Sequence, residues 1–143
     1  MSIHYILYAS GASRPISPED IDQILTASRR NNAALGVTGM LLVAEDAFIQ
    51  VLEGERATVR RLADAIRRDP RHRNFMVLVE GDAPSRAFSQ WAMGFKRLEP
   101  GVSENDAIFR ITRSALKERV SEADGGMMLD LITAFGRDFV SAG

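Results

Sequence analysis

The chain has 143 residues, 45% of them hydrophobic, with 18 basic and 19 acidic side chains and a formal net charge of -1. That size supports one domain with a core of its own, and the near-zero charge gives no electrostatic reason to expect a nucleic acid or an acidic surface as partner. Cysteine is absent, which excludes disulfides, thiolate metal sites and thiol nucleophiles; two histidines, His4 and His72, are too few and too far apart to suggest zinc.

No stretch approaches the ~18 apolar residues of a membrane span, and "MSIHYILYAS" lacks the basic start and small-residue cleavage site of a signal peptide. A cytoplasmic location is expected. Ile3 to Ala9 reads as a first strand, turned by Gly11 to Pro15. In "SPED", Ser17 is a natural N-cap, Pro18 suits the first helical position and Asp20 can close a capping box. The helix that follows has an apolar stripe of Ile21, Ile24 and Leu25. The same face continues to Ser28 and Asn32, so its inward side turns polar near its end.

"LGVTGMLLVAEDAFIQVLEG" has the pattern of a hairpin, with strands at Val37 to Val43 and Ala47 to Glu53 and a turn at Glu45 and Asp46. Arg56 to about Arg68 forms a second helix that buries Val59, Leu62, Ala63 and Ile66 and is stopped by Pro70. Its arginines, Arg56, Arg60, Arg61, Arg67 and Arg68, form a solvated face. Asp69, Arg71 and His72 cluster at its end. A strand at Phe75 to Val79, the loop "EGDAPSR" and an extended piece from Trp91 to Leu98 complete the order βαββαββ. That order specifies an α+β, ferredoxin-like sheet with two helices on one face.

The strands are apolar on both faces, so the other face also needs cover. Residues 101–143 supply it. Ser103 caps a helix carrying Ile108, Ile111 and Ala115; "DGG" breaks it near Gly125 and Gly126; a last helix carries Met128, Leu131, Ile132, Phe135 and Phe139. The expected organisation is a core over 1–100 and a C-terminal helical hairpin on the back of its sheet.

One residue does not fit an aliphatic core. In "FIQVLEG", Gln50 shares a strand face with Phe48 and Leu52, and an unpaired buried amide costs about 1 to 3 kcal/mol per group. In a ferredoxin-like order the first strand lies beside the third, which brings Tyr8 next to Gln50. With Ser28 and Asn32 they converge between two otherwise aliphatic helices, and Asp69, Arg71 and His72 stand at the mouth. An apolar slot with a few orienting polar groups is the usual layout of a small-molecule site.

"YILYAS", "SRRNN", "GVTGMLL", "FIQVLEG", "DPRH" and "FSQWAMGF" together resemble the BLUF family of flavin-using blue-light sensors, over about Ile3 to Leu98. The helices after the sensor make the chain similar to the short, single-domain members. The resemblance implies that Tyr8 and Gln50 form the photoactive pair and that Asn32 bonds the flavin's pyrimidine carbonyl side, with Ser28 nearby as a further flavin-binding residue. Ile24, Phe48 and Ile66 would wall the ring, Asp69, Arg71 and His72 would meet its ribityl and phosphate end, and Trp91 and Met93 would relay the signal. FAD is the family's cofactor; FMN or riboflavin would suit the same residues.

The implied chemistry involves no turnover. Tyr8 loses an electron and a proton in the light and regains them, leaving the Gln50 amide rotated or tautomerised and the absorption shifted slightly to the red. Output passes to a protein partner, and the chain is expected to self-associate. The resemblance leaves open whether Trp91 or Met93 is buried in the dark. Two other readings stand beside it: a light-insensitive regulatory or dimerisation module, and an acylphosphatase-like hydrolase using Arg14 in "ASGASRP".

Overall fold

The computed structural model describes residues 2–44, 47–89 and 92–98 and, further on, Gly126, Leu129, Asp130 and Ile132. The elements are β1 (Ile3–Ala12), α1 (Pro18–Leu35), β2 (Thr38–Ala44), β3 (Ala47–Gly54), α2 (Arg56–Arg68), β4 (His72–Ala83) and β5 (Gly94–Leu98). They form one sheet in the order β4-β1-β3-β2-β5. β1 runs antiparallel to β3 and β4, β2 runs antiparallel to β3, and β5 joins β2 in parallel. This is the expected α+β, ferredoxin-like arrangement with a fifth strand.

Local signals explain the helices. The Ser17 hydroxyl accepts from the Asp20 amide at 3.1 Å and the Asp20 carboxylate accepts from the Ser17 amide at 3.0 Å, so the capping box is closed. α1 ends at Gly36, whose φ of 69° is the left-handed conformation that only glycine adopts freely. α2 ends at Asp69, held extended by the proline after it. Arg67 and Arg68 in its last turn complement the helix dipole.

β3 is buried along its whole length between β1 and β2. Its two faces feed two cores. Ile6, Tyr8, Leu41, Phe48, Leu52 and Met93 pack with Ile21 and Leu25 of α1 and Val59 and Ala63 of α2. Leu7, Ala9, Met40, Leu42, Ile49 and Val51 pack on the opposite side with Leu78, Phe88 and Ile132. Gly126, Leu129, Asp130 and Ile132 are helical, and Ile132 is fully buried in that second core, as the need for cover on the back of the sheet requires. The rest of the expected hairpin, including Ser103, Ile108, Ile111, Ala115, Gly125, Met128, Leu131, Phe135 and Phe139, lies outside the described residues, as does the turn at Glu45 and Asp46.

Several strand ends differ from expectation. β1 continues through Gly11 and Ala12, β2 starts at Thr38, and β5 starts at Gly94. β4 is more than twice as long as expected and absorbs Glu80 to Ala83 from the anticipated loop. The reason is its place at the edge of the sheet, where polar residues are tolerated and apolar alternation fades. Glu80 and Asp82, both exposed, reach across the strand pair to buried His4: they lie 2.6 and 2.9 Å from its two ring nitrogens, and Arg60 of α2 joins Glu80 at 2.9 Å.

β4 also breaks its own alternation. Asn74 has φ 53°, and the β1–β4 register shifts beside it, between Ala9 and Gly11. An inserted left-handed residue lets His72 and Phe75, three apart in sequence, face the same side of the sheet.

If Ile132 closes the back core as described, Ile132→Ala should lower unfolding free energy by about 2–5 kcal/mol, measured by urea titration. A change within experimental error would remove Ile132 from that core.

Candidate functional site

Register builds the site. β1 and β3 pair so that Tyr8 stands directly opposite Gln50. Both are buried, at 1% and 4% exposure. The Tyr8 hydroxyl donates to Gln50 Oε1, and Gln50 Nε2 donates to Met93 Sδ at 3.3 Å. One amide hydrogen of Gln50 has no partner among the described residues. Burial, with the Asp69 carboxylate adding to it, pushes the Tyr8 phenol far above its ordinary pKa, so the hydroxyl keeps its proton as a ground-state donor.

Beside this pair a cleft of about 160 Å³ opens between α1 and α2. Tyr8, Gln50, Ile24, Ser28, Asn32, Ile66, Asp69, Arg71 and His72, all singled out from the sequence, line it. Phe48 lines a smaller adjoining pocket, with Ile24, Arg14, Asp20 and Arg71. Met93, 2% exposed, is the relay candidate found inside; Trp91 lies outside the described residues.

α1 delivers a polar wall. Asn32 is buried, and its Nδ2 donates to Ala92 O at 2.9 Å; among the described residues its carbonyl oxygen is unpartnered. Asn31 lines the cleft as well. It stands three residues after Ser28, and that helical spacing could have revealed it. Leu62 and Ala65 are further lining residues from α2, and Leu41 and Leu52 form apolar floor.

The far end is charged and paired. Arg71 reaches both Asp69 oxygens, with Nη2 to Oδ2 at 2.7 Å and Nε to the two oxygens at 3.1 and 3.2 Å. The Arg71 hydrogen bond holds the Asp69 carboxyl below its usual range, and Asp69 raises Arg71 in return. His72 lines the cleft beside them. Its Nδ1 lies 2.7 Å from Ser10 Oγ and its ring packs 4.7 Å from Phe48. Burial lowers its pKa, opposed by Asp69 and assisted by Arg71.

Two neighbours were not anticipated. Phe75 stacks on Tyr8 with centroids 4.5 Å apart and planes 23° apart, and the Arg67 guanidinium lies 4.9 Å from the Phe75 centroid. Arg29 Nε donates to Met93 O at 3.1 Å. Arg14, the residue a phosphate-cradling hydrolase would need, is exposed and paired with Asp20 at 2.8 Å. Among the described residues there is no cluster able to hold a metal and no helix long and apolar enough to cross a membrane.

A sheet of this order, with a buried tyrosine–glutamine pair beside a helix-walled cleft, defines a class of small flavin-binding light sensors. The model of the BLUF family, described as sensors of blue light using FAD, matches residues 3–94, and the chain belongs to that family. It is 35% identical over 89 residues to the photoactivated adenylate cyclase subunit beta of Euglena longa, covering 62% of this chain and 10% of that protein. It is 33% identical over 88 residues to the blue light- and temperature-regulated antirepressor BluF of Escherichia coli (strain K12), covering 62% and 22%. The chain thus spans a small part of these relatives. Among solved structures it resembles the dark state of BlrB, a BLUF protein, with TM-score 0.75 and 27% identity over 94% of this chain and 97% of the other. It also resembles a bacterial light-regulated adenylyl cyclase, with TM-score 0.72 and 32% identity over 78% and 34%.

The lowered His72 pKa gives a signed prediction. As pH falls below about 6.5 the unfolded chain takes up a proton that the folded chain refuses, so stability present above that pH is lost on acidification through the folded pKa. His72→Gln should flatten this part of the stability–pH curve, measured by thermal melts from pH 7.5 to 5; identical curves would show that burial of His72 contributes nothing.

Proposed function

We propose that the chain binds FAD in the cleft between α1 and α2 and works as a blue-light switch centred on Tyr8, Gln50 and Met93. FMN or riboflavin would be held by the same ring-facing residues. The observation that carries the proposal is the Gln50 amide: buried, receiving a proton donor from Tyr8 at its oxygen and giving one to Met93 at its nitrogen.

The residues suit such a group. The cleft is apolar on its floor, where Leu41 and Leu52 lie, with a few polar groups converging on it. Among the described residues one Gln50 N–H and the Asn32 carbonyl oxygen are unpartnered, and they match a ring edge that alternates acceptors and N–H donors. Ser28 adds a hydroxyl near Asn32, while Ile24 and Ile66 offer facing aliphatic walls from the two helices, with Phe48 beside them. Asp69, Arg71 and His72 fall where a ribityl chain and phosphate would leave; Asp69 already engages Arg71, so Arg71 would have to share its donors with a phosphate. When bound, the flavin supplies visible absorption and a light-activated electron acceptor.

The protein's contribution is a hydrogen-bond network with two ways to be satisfied. In the arrangement described, the Tyr8 proton points at Gln50 Oε1. Rotating the amide by half a turn would put Nε2 toward the Tyr8 oxygen, making Tyr8 an acceptor, and would leave Met93 Sδ facing an oxygen that cannot donate. Tautomerisation would have the same effect on polarity. Nothing in the backbone has to move first, and the buried setting makes each lost bond costly. The Met93 stretch then relaxes and biases a protein partner. Trp91, two residues earlier, is proposed to share this relay. The chain acts here as a sensor rather than a catalyst, and the proposal includes self-association and a cytoplasmic location, both expected from the sequence.

Purified chain should be yellow, and blue light should move its visible band to longer wavelength, with return in darkness. Tyr8→Phe and Gln50→Leu should each keep the flavin and lose the reversible shift; a normal photocycle in either would remove that residue from the mechanism.

The polar wall has its own test. Asn32→Ala should weaken flavin retention by about tenfold, the scale of one lost buried hydrogen bond, measured by flavin fluorescence on titration. Unchanged affinity would place the pyrimidine edge elsewhere.

A further inference from the structure

Glu53 is a buried acid that the switch leaves unused. It is 3% exposed and lies three residues from Gln50 on β3, on the opposite face of the sheet. Its Oε1 accepts from Thr38 Oγ1 at 2.8 Å and from the Phe88 amide at 2.7 Å, and its Oε2 accepts from the Ala87 amide at 2.9 Å. Arg86 locks the same corner: Nη1 donates to Thr38 Oγ1 at 2.9 Å and to Glu53 O at 3.1 Å, and Nη2 donates to Gly36 O at 2.7 Å. Phe88 itself is buried in the back core.

The connection from β4 to β5 is therefore pinned twice. Residues 86–88 are held by groups that do not touch the cleft. At 92–93 the holders belong to the cleft or its edge: Asn32 Nδ2 on Ala92 O, Arg29 Nε on Met93 O, and Gln50 Nε2 on Met93 Sδ. The two pins differ in kind. A thioether is a weak acceptor, and the amide that serves it can turn its other end. A carboxyl group receiving two backbone N–H groups and a hydroxyl has no alternative arrangement, and main-chain donors cannot rotate away.

We propose that Glu53 is a positioning residue: the fixed anchor of the 86–93 connection, which confines the response to a Gln50 rearrangement to the stretch beyond Phe88 and directs it into β5. This rests on the reading of Gln50 and Met93 as switch and exit. Without the anchor, slack would spread back toward β4, and the wall around the amide would loosen.

The test is amide hydrogen exchange on the flavin-loaded chain in darkness and under blue light, with absorption followed in parallel. Light should speed exchange at 93–95 by about tenfold and leave Ala87 and Phe88 unchanged. Glu53→Gln, which places an N–H₂ among donors, should speed dark exchange at Ala87 and Phe88 by about tenfold. It should keep flavin and the red shift, and shorten dark recovery by about threefold, because an amide turns more easily in a looser wall. Thr38→Val, which removes one donor and keeps the shape, should move both readouts the same way by less. Light-induced loosening of Ala87 and Phe88 in the wild type would overturn the anchor, as would a Glu53→Gln variant that loses protection there yet recovers at the wild-type rate. A red shift with no exchange change in either stretch would overturn the exit at Met93 and the anchor with it. A missing red shift in the wild type would instead overturn the switch itself.

Discussion

A primary amide between two strands sets the terms for everything around it. Gln50 sits where β1 and β2 both press against β3, and it is 4% exposed. Each unpaired polar group there would cost about 1 to 3 kcal/mol, so the neighbours must be polar at defined points and apolar elsewhere. Tyr8 meets one end because antiparallel pairing puts it directly opposite; Met93 meets the other because β5 lies parallel beside β2 and its approach passes over the same face. The parallel pairing matters here. A hairpin return would have placed the residues before β5 at the other end of the sheet.

The two faces of the sheet divide the work. The back face is aliphatic and closed, with Leu7, Met40, Leu42, Ile49 and Val51 fully buried. The helix face is deliberately incomplete: α1 and α2 touch the sheet through Ile21, Leu25, Val59 and Ala63 but leave a cleft between them. Its charged end is also self-contained, since the Asp69–Arg71 pair neutralises itself and leaves His72 free to pack as a half-buried ring. The left-handed Asn74 makes that packing compatible with Phe75 stacking on Tyr8, because strict alternation would have sent one of the two rings to the back face.

What the sequence made legible follows the range of the signals. Helix bounds were readable because caps are local: Ser17, Pro18 and Asp20 start α1 and the Asp69–Pro70 pair stops α2 within a residue of the expected places. The meeting of Tyr8 and Gln50 was readable because strand order and alternation suffice to bring them together. β4 was underestimated because Glu80 and Asp82 break the apolar pattern, and their partner His4 lies 76 and 78 residues away in the chain. The insertion at Asn74 left no mark, since asparagine is common in loops and strands' ends alike. Glu53 was legible only as a strand residue; the amides it binds belong to a connection whose return path no local pattern encodes.

Gln50 and Glu53 differ by one functional group, and the difference explains how one strand can carry both a moving part and a fixed one. An amide presents a donor end and an acceptor end of nearly the same shape, so exchanging them costs little in packing and much in hydrogen bonding. A carboxyl group is symmetric, so turning it over changes nothing. Placed on opposite faces of β3, the first can respond to an event in the cleft while the second keeps the strand, Thr38 and the 86–88 corner in register. Sheet strands are poor levers because their ladders resist sliding. A signal leaving this sheet therefore has to travel through side chains and connections, and the connection that reaches Met93 is the one whose near end Glu53 holds still.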